Sequence, residues 1–170
     1  FRVGLLCGIL KEPFEMILKE LMEAYNVRPI RAEPLVEIAR LYRMNEKPAA
    51  AYPFARLAAD IPYPQQDILF ISEDIYQFGA LDEVGATAFY AGRPHEGHQA
   101  CKKLLTENRV PKDHTERVKQ NLDQYEKVMA QVQAQEMQAN MQSQVEKLQE
   151  KKKKLESVKK TTYKKRPAKK

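Results

Sequence analysis

Three groups of side chains have the types and spacing to do chemistry. His95, His98 and Cys101 recur at intervals of three, so on a helix they drift by about −60° per step and share one broad face. Zinc would want a fourth ligand and supporting hydrogen bonds, and the metalloprotease pattern needs histidines four apart rather than three. They read as two surface histidines and a small buried cysteine, with no metal and no cofactor. The acidic pairs Glu73-Asp74 and Asp82-Glu83 are the types used in general acid–base catalysis. Neither is accompanied by a nucleophile or a glycine-rich phosphate loop. Glu73 and Asp74 follow Ser72, an expected N-cap, where negative charge offsets the helix dipole. Asp82 and Glu83 are expected to form ion pairs with Arg40, Arg43 and Arg56 or to line a groove. No catalytic residue emerges.

The third group is the strongest. Residues 145–170 hold 12 basic and 3 acidic side chains, net +9, while the other 144 hold 17 basic and 20 acidic, net −3. The overall +6 therefore describes a weakly acidic body and a cationic end, which disfavours a domain that grips nucleic acid over its whole surface. Lys151, Lys152, Lys153, Lys154, Lys159, Lys160, Lys164, Lys165, Arg166, Lys169 and Lys170 form a candidate polyanion-binding tail. Its affinity would come from counterion release and would be salt-sensitive. Nucleic acid, acidic protein surfaces and anionic lipid all fit, and the same residues read as a nuclear-import signal.

The elements that carry these groups follow from punctuation. All six glycines precede residue 98, and no proline falls between Pro111 and Pro167, so the intervening Gln-, Glu-, Lys-, Met- and Ala-rich stretch reads as one long helix. Val118, Leu122, Tyr125, Met129 and Val132 are spaced as a packed seam; the pattern then breaks and resumes weakly at Met141, Val145, Leu148 and Leu155. The first half is expected to pack on the body and the second half to project, with a weak coiled-coil character. Upstream, Pro13, Pro48 and Pro94 each open an amphipathic run, while Pro29, Pro62 and Pro111 each close one. Removing the extended stretch from Tyr63 to Ser72 leaves a period of about 34 residues, that of tetratricopeptide hairpins. Ile38, Ala39 and Tyr42 share a face of one first helix, and Leu81, Val84 and Ala88 do so in the next.

These units carry a resemblance. Arg28-Pro29-Ile30-Arg31-Ala32-Glu33-Pro34-Leu35 with Ala39-Arg40-Leu41-Tyr42-Arg43, then Ala51-Tyr52, Phe54-Ala55, Ile61-Pro62-Tyr63-Pro64 and Asp67 to Ile71, continue into Leu81-Asp82-Glu83 and Ala88-Phe89-Tyr90 with Gly92. Over residues 20–125 the chain resembles the tetratricopeptide-like region found downstream of family 2 glycosyltransferase domains in bacteria and large DNA viruses. Pro53 departs from that pattern and is expected to kink its helix or shift its start. The resemblance implies that sugar transfer belongs to an upstream domain with an Asp-x-Asp metal site. The six aspartates here include no pair spaced by two, so no catalytic residue carries over.

The expected fold is therefore all-α: about three tetratricopeptide-like helix-turn-helix hairpins over residues 1–111, with an extended insertion at 61–72. A capping long helix over 112–144 and a Lys-rich tail over 145–170 complete the chain. The expected function is non-catalytic protein interaction or scaffolding, with Arg40, Arg43, Tyr52, Arg56 and Tyr90 as candidate contacts on a concave face. One alternative is a structural subunit of a nucleoprotein or virion assembly; another is a fragment of an active glycosyltransferase whose catalytic domain is missing. Two cysteines make no disulfide framework, which favours a reducing intracellular compartment, cytoplasmic or within an assembled particle. No stretch approaches the roughly 20 apolar residues of a membrane span. The run from Val3 to Leu10 resembles a short signal core without a basic leader or cleavage site. The opening Phe1, in place of Met, points to residues upstream.

Overall fold

The computed structural model describes residues 1–10, 12–67 and 69–164, with side chains described as far as Lys154. Among these residues every regular element is helical: α1 (Arg2–Ile9), α2 (Phe14–Val27), α3 (Glu33–Met44), α4 (Pro48–Asp60), α5 (Ala80–Thr87), α6 (Pro94–Thr106) and α7 (Thr115–Lys164). A π-helical turn, Ile75–Gly79, leads into α5, and a 3-10 turn, Lys112–His114, leads into α7. The chain forms two compact units, Phe1–Met129 and Ala130–Lys170.

In the first unit each helix from α1 to α6 packs on the next, and α3 also touches α5. A helix with one apolar stripe must bury it against a neighbour, and sequential packing does this with short connections. Ala51, Ala55 and Ala58, on one face of α4, are almost wholly inaccessible; their lack of bulk brings α4 close to its neighbours. Leu21, Leu35, Val36 and Ile38 fill the core on the α2–α3 side, and Ala39, Val84, Ala88 and Ala100 continue it toward α6.

The α3–α4 and α5–α6 connections are built alike. In each, a residue in the left-handed region ends the first helix: Glu46 with φ 59° in one and Gly92 with φ 69° in the other. The next N–H then closes back five residues, Lys47 to the Tyr42 carbonyl and Arg93 to the Ala88 carbonyl, at 3.0 and 2.9 Å. Lys47 and Arg93 share φ −118°, with ψ 54° and 52°, and each precedes the proline that starts the second helix. This is a C-terminal helix cap joined to an N1 proline. α4 begins at Pro48 and runs through Pro53, so the expected shift in its start does not occur. Pro53 and Ala49, the carbonyl it leaves without a partner, are exposed, and water can satisfy that group.

The start of α7 closes this unit. Val118 and Tyr125 are buried with Cys101, and Leu122 and Leu105 pack beside them. α6 has no side chain at Gly97 because Tyr125 occupies that space: a Cβ there would lie 2.2 Å from Cζ of the ring. The phenol donates to the Gly85 carbonyl at 2.9 Å and accepts from the Phe89 N–H at 3.1 Å, so the long helix is keyed to the backbone of α5. The matched turns give an opposed pair of outcomes. Glu46→Gly is expected to raise unfolding stability and Gly92→Ala to lower it, each by about 1 kcal/mol, the usual cost of a side chain in the left-handed region, read as opposite shifts of the thermal unfolding midpoint.

Candidate functional site

The most elaborate polar arrangement surrounds Glu33, the first residue of α3, which is 1% exposed. A carboxylate so placed must be neutralised and hydrogen-bonded. Arg31 donates to it through Nε at 2.9 Å and a terminal nitrogen at 2.6 Å, Tyr76 through its hydroxyl at 2.7 Å, and Ser72 through its N–H at 3.2 Å. Burial works against ionisation of Glu33, but these donors prevail and hold its carboxyl below the ordinary range. Burial and the neighbouring carboxylate push the Tyr76 hydroxyl up to about 12, while the Ala32 N–H it accepts from pulls the other way. Ser72 stands just before the helical residues Glu73 and Asp74 and engages Glu33 through its backbone N–H.

Arg31 extends this cluster into the segment between α4 and the π-helical turn. It also donates to Asp67 at 3.0 Å and to the Phe70 carbonyl at 2.6 Å, and Arg28 binds Asp67 as well. Hydrogen bonds from Arg28 lead in keeping the Asp67 carboxyl below its usual value. The 61–72 segment is thus irregular and pinned, with Pro64 buried; Ile68 lies outside the described residues. Phe70 adopts φ 61°, a costly conformation for a bulky residue. Its carbonyl is held by Arg31, and the Arg2 guanidinium lies 4.1 Å from its ring centroid.

This anchoring leaves apolar side chains in the open. Leu69 and Phe70 are 68% and 63% exposed, and Val3, Leu6, Ile9 and Leu10 of α1 and its end are 55–75% exposed. A cavity of about 440 Å³ opens here, with Val3, Val27, Leu69 and Phe70 on its apolar wall and Arg28, Arg31 and Glu33 beneath. Beyond Arg2, α1 carries no charged side chain on any face, and a helix of that kind is ordinarily covered. The sequence signal for this anchoring is the isolated Asp67, the single charge in an otherwise uncharged 61–72 stretch.

The five residues expected on a concave face fall into distinct settings. Arg43 forms a two-pronged pair with buried Glu83, 2.8 Å at both oxygens, and Arg40 lies 3.5 Å from the same carboxylate. Arg56 pairs with Asp60 and reaches Glu96 at 3.0 Å, away from Asp82 and Glu83, because it shares the α4 face that looks toward α6. Tyr52 faces Glu96 too: burial first, then that carboxylate, raises its hydroxyl to about 12. Arg56, Glu96 and Lys103 line a polar groove of about 510 Å³ between α4 and α6. Tyr90, 61% exposed, stands against Phe89 at the end of α5. Asp82 is bound by both terminal nitrogens of Arg117 at 2.9 and 3.1 Å, a pair that sequence spacing did not reveal.

The His95/His98/Cys101 set is not drawn into a cluster. His98 stands 3.7 Å from Glu126, and Cys101 is buried against Gly85. Burial, with Asp82 nearby, pushes its thiol up to about 12, which leaves it protonated and unreactive at neutral pH. No group of three or more His, Cys, Asp or Glu suited to a metal occurs among the described residues. Lys151 to Lys154 are exposed on α7. Lys165, Arg166, Lys169 and Lys170 lie outside the described residues, as do the side chains of Lys159, Lys160 and Lys164. No helix among the described residues is long and apolar enough to cross a membrane. Comparison with protein-family models and with curated proteins finds no match.

Removing the charge at Glu33 leaves Arg31 short of a buried partner. Glu33→Gln is expected to lower unfolding stability by roughly 3 kcal/mol, as broken buried pairs do, read from urea unfolding at pH 7. Because the folded carboxyl titrates below its ordinary 4.5, its contribution is complete above that value and fades as pH falls through the depressed one. The difference between wild type and variant should therefore shrink progressively as pH falls below 4.5.

Proposed function

We propose that the first unit is a non-catalytic protein-interaction module that holds or positions a partner. One observation carries this reading: exposed Leu69 and Phe70, fixed from beneath by Arg31, stand in one cavity wall with Val3 and Val27. Contiguous exposed apolar surface of this kind marks sites of association, and pre-organising it lowers the cost of binding. Arg28, Arg31, Glu33 and Asp67 are already engaged with one another, so the surface offers mainly shape and apolar area rather than reactive chemistry. The hairpins with their repeated turns suit a tetratricopeptide-like stack. The resemblance to the region that follows family 2 glycosyltransferase domains supports a scaffolding role beside such an enzyme; the rival is that the chain is a fragment of the enzyme itself.

The test is a photocrosslinking residue placed at Phe70 in the full chain, expressed in the cells that naturally make it. A discrete irradiation-dependent protein adduct is expected from position 70 and none from the exposed control position Lys119. No adduct at position 70, or sugar transfer by the purified chain given nucleotide sugar and a divalent metal, would contradict the reading.

A second reading concerns the cationic end. The net +9 over residues 145–170 and the exposure of Lys151 to Lys154 favour a polyanion contact, as in a structural subunit of a nucleoprotein or virion assembly. Binding to a duplex oligonucleotide should then fall steeply with salt and vanish when 145–170 is deleted; unchanged binding after deletion would exclude it.

A further inference from the structure

Every residue from Ala130 to Lys154 in α7 is exposed, including Met137 at 68%, Met141 at 58%, Val145 at 47% and Leu148 at 65%. These side chains are not scattered. With 3.6 residues per turn, Ala130, Ala134, Met137, Met141, Val145 and Leu148 all project within an arc of about 80°, a stripe about 27 Å long. Glutamines flank it: Gln131, Gln138, Gln142 and Gln149 on one side, Gln133 and Gln144 on the other. Glu136, Glu146 and Glu150 lie toward the opposite face at the same periodicity.

The spacing along the stripe is a palindrome. From Ala130 through Lys152 the intervals are 4, 3, 4, 4, 3, 4, symmetric about Met141. We propose that two copies of this chain associate through this stripe as an antiparallel helix pair whose two-fold axis passes at Met141. Reversing one helix about that residue sets Met141 against Met141, Met137 against Val145, and small Ala134 against large Leu148. From Ala134 to Leu148 each apolar position meets an apolar position, Ala130 faces Lys152, whose stem is apolar, and the small–large match keeps the helices evenly spaced. A two-fold contact requires this self-complementarity, since each surface patch is its own partner. Methionine, unbranched and adaptable, tolerates the crowding at the axis.

Charge selects the direction. Lys152 lies on the line of the stripe and Lys151 beside it. A parallel, in-register pair would press each against its twin. The antiparallel pair sends the two Lys152 side chains to opposite ends, about 33 Å apart along the axis, several times the roughly 8 Å screening length at physiological salt. The uncharged glutamine flanks add no like-charge repulsion to either direction, so the lysines decide. The stripe is short, and the association is accordingly concentration-dependent. This inference rests on α7 alone and is independent of the partner surface on the first unit.

The full chain, with Cys7→Ser to remove the partly accessible thiol, is followed by sedimentation velocity from low to high micromolar concentration and by disulfide crosslinking. A reversible dimer is expected, and Met141→Glu, which sets two carboxylates face to face, should return it to monomer. Met141→Cys should crosslink to itself; Met137→Cys and Val145→Cys should each fail alone but crosslink when mixed, since only their combination falls within disulfide reach. A monomer at all concentrations, a dimer insensitive to Met141→Glu, or self-crosslinking at all three positions would overturn the proposal.

Discussion

Glu33 is a charge taken out of water, and much of the N-terminal half is arranged to keep it there. An ionised carboxylate in the interior costs several kcal/mol unless its lone pairs are met, and here four donors from three parts of the chain converge on it. Meeting that demand does more than preserve stability. Arg31 has nitrogens to spare, and with them it holds Asp67 and the Phe70 carbonyl. A segment without regular secondary structure thereby acquires a fixed course, and Leu69 and Phe70 are carried to the surface beside α1. The apolar face assigned to a partner is a consequence of solving a buried-charge problem next to it.

The same logic recurs between the helices. Glu83 is 2% exposed and is matched by Arg43 and Arg40; Asp82, at 9%, is matched by Arg117. Neighbouring carboxylates on α5 thus point to different helices, one to α3 and the other to α7. Such pairs add modestly to stability once desolvation is counted, but they specify which helix lies where. Packing of small alanines alone could slide; an arginine fork on a carboxylate cannot.

What the sequence made legible is the part written in single residues. Pro48 and Pro94 mark helix starts because proline is suited to the first turn and to little else in a helix. The long helix was readable because no breaker interrupts it, and its first half packs through Val118 and Tyr125 as the seam spacing implied. The π-helical turn at Ile75–Gly79 has no residue signature and stayed hidden. So did the pairing of Arg31 with Asp67, 36 positions away, since ion pairs across a fold depend on which faces meet. Arg56 illustrates the difficulty: its helix was foreseen, but the face it occupies turns it to Glu96 rather than to Asp82 or Glu83. From spacing the apolar pattern resumed only weakly at Met141, Val145 and Leu148; that Ala130, Ala134 and Met137 continue it, and its symmetry about Met141, become evident only once those residues form one exposed helix.

The buried charge at Glu33 organises the surface proposed for a partner protein. The most direct measurement places a photocrosslinking residue at Leu69 in the full chain and compares adduct yield between wild type and Glu33→Gln in the native host, at a temperature where both remain folded. Loss of most of the adduct in the variant, with hydrogen exchange quickened in residues 69–72, is the predicted result. Equal yields in the two chains, or no adduct in either, would contradict it.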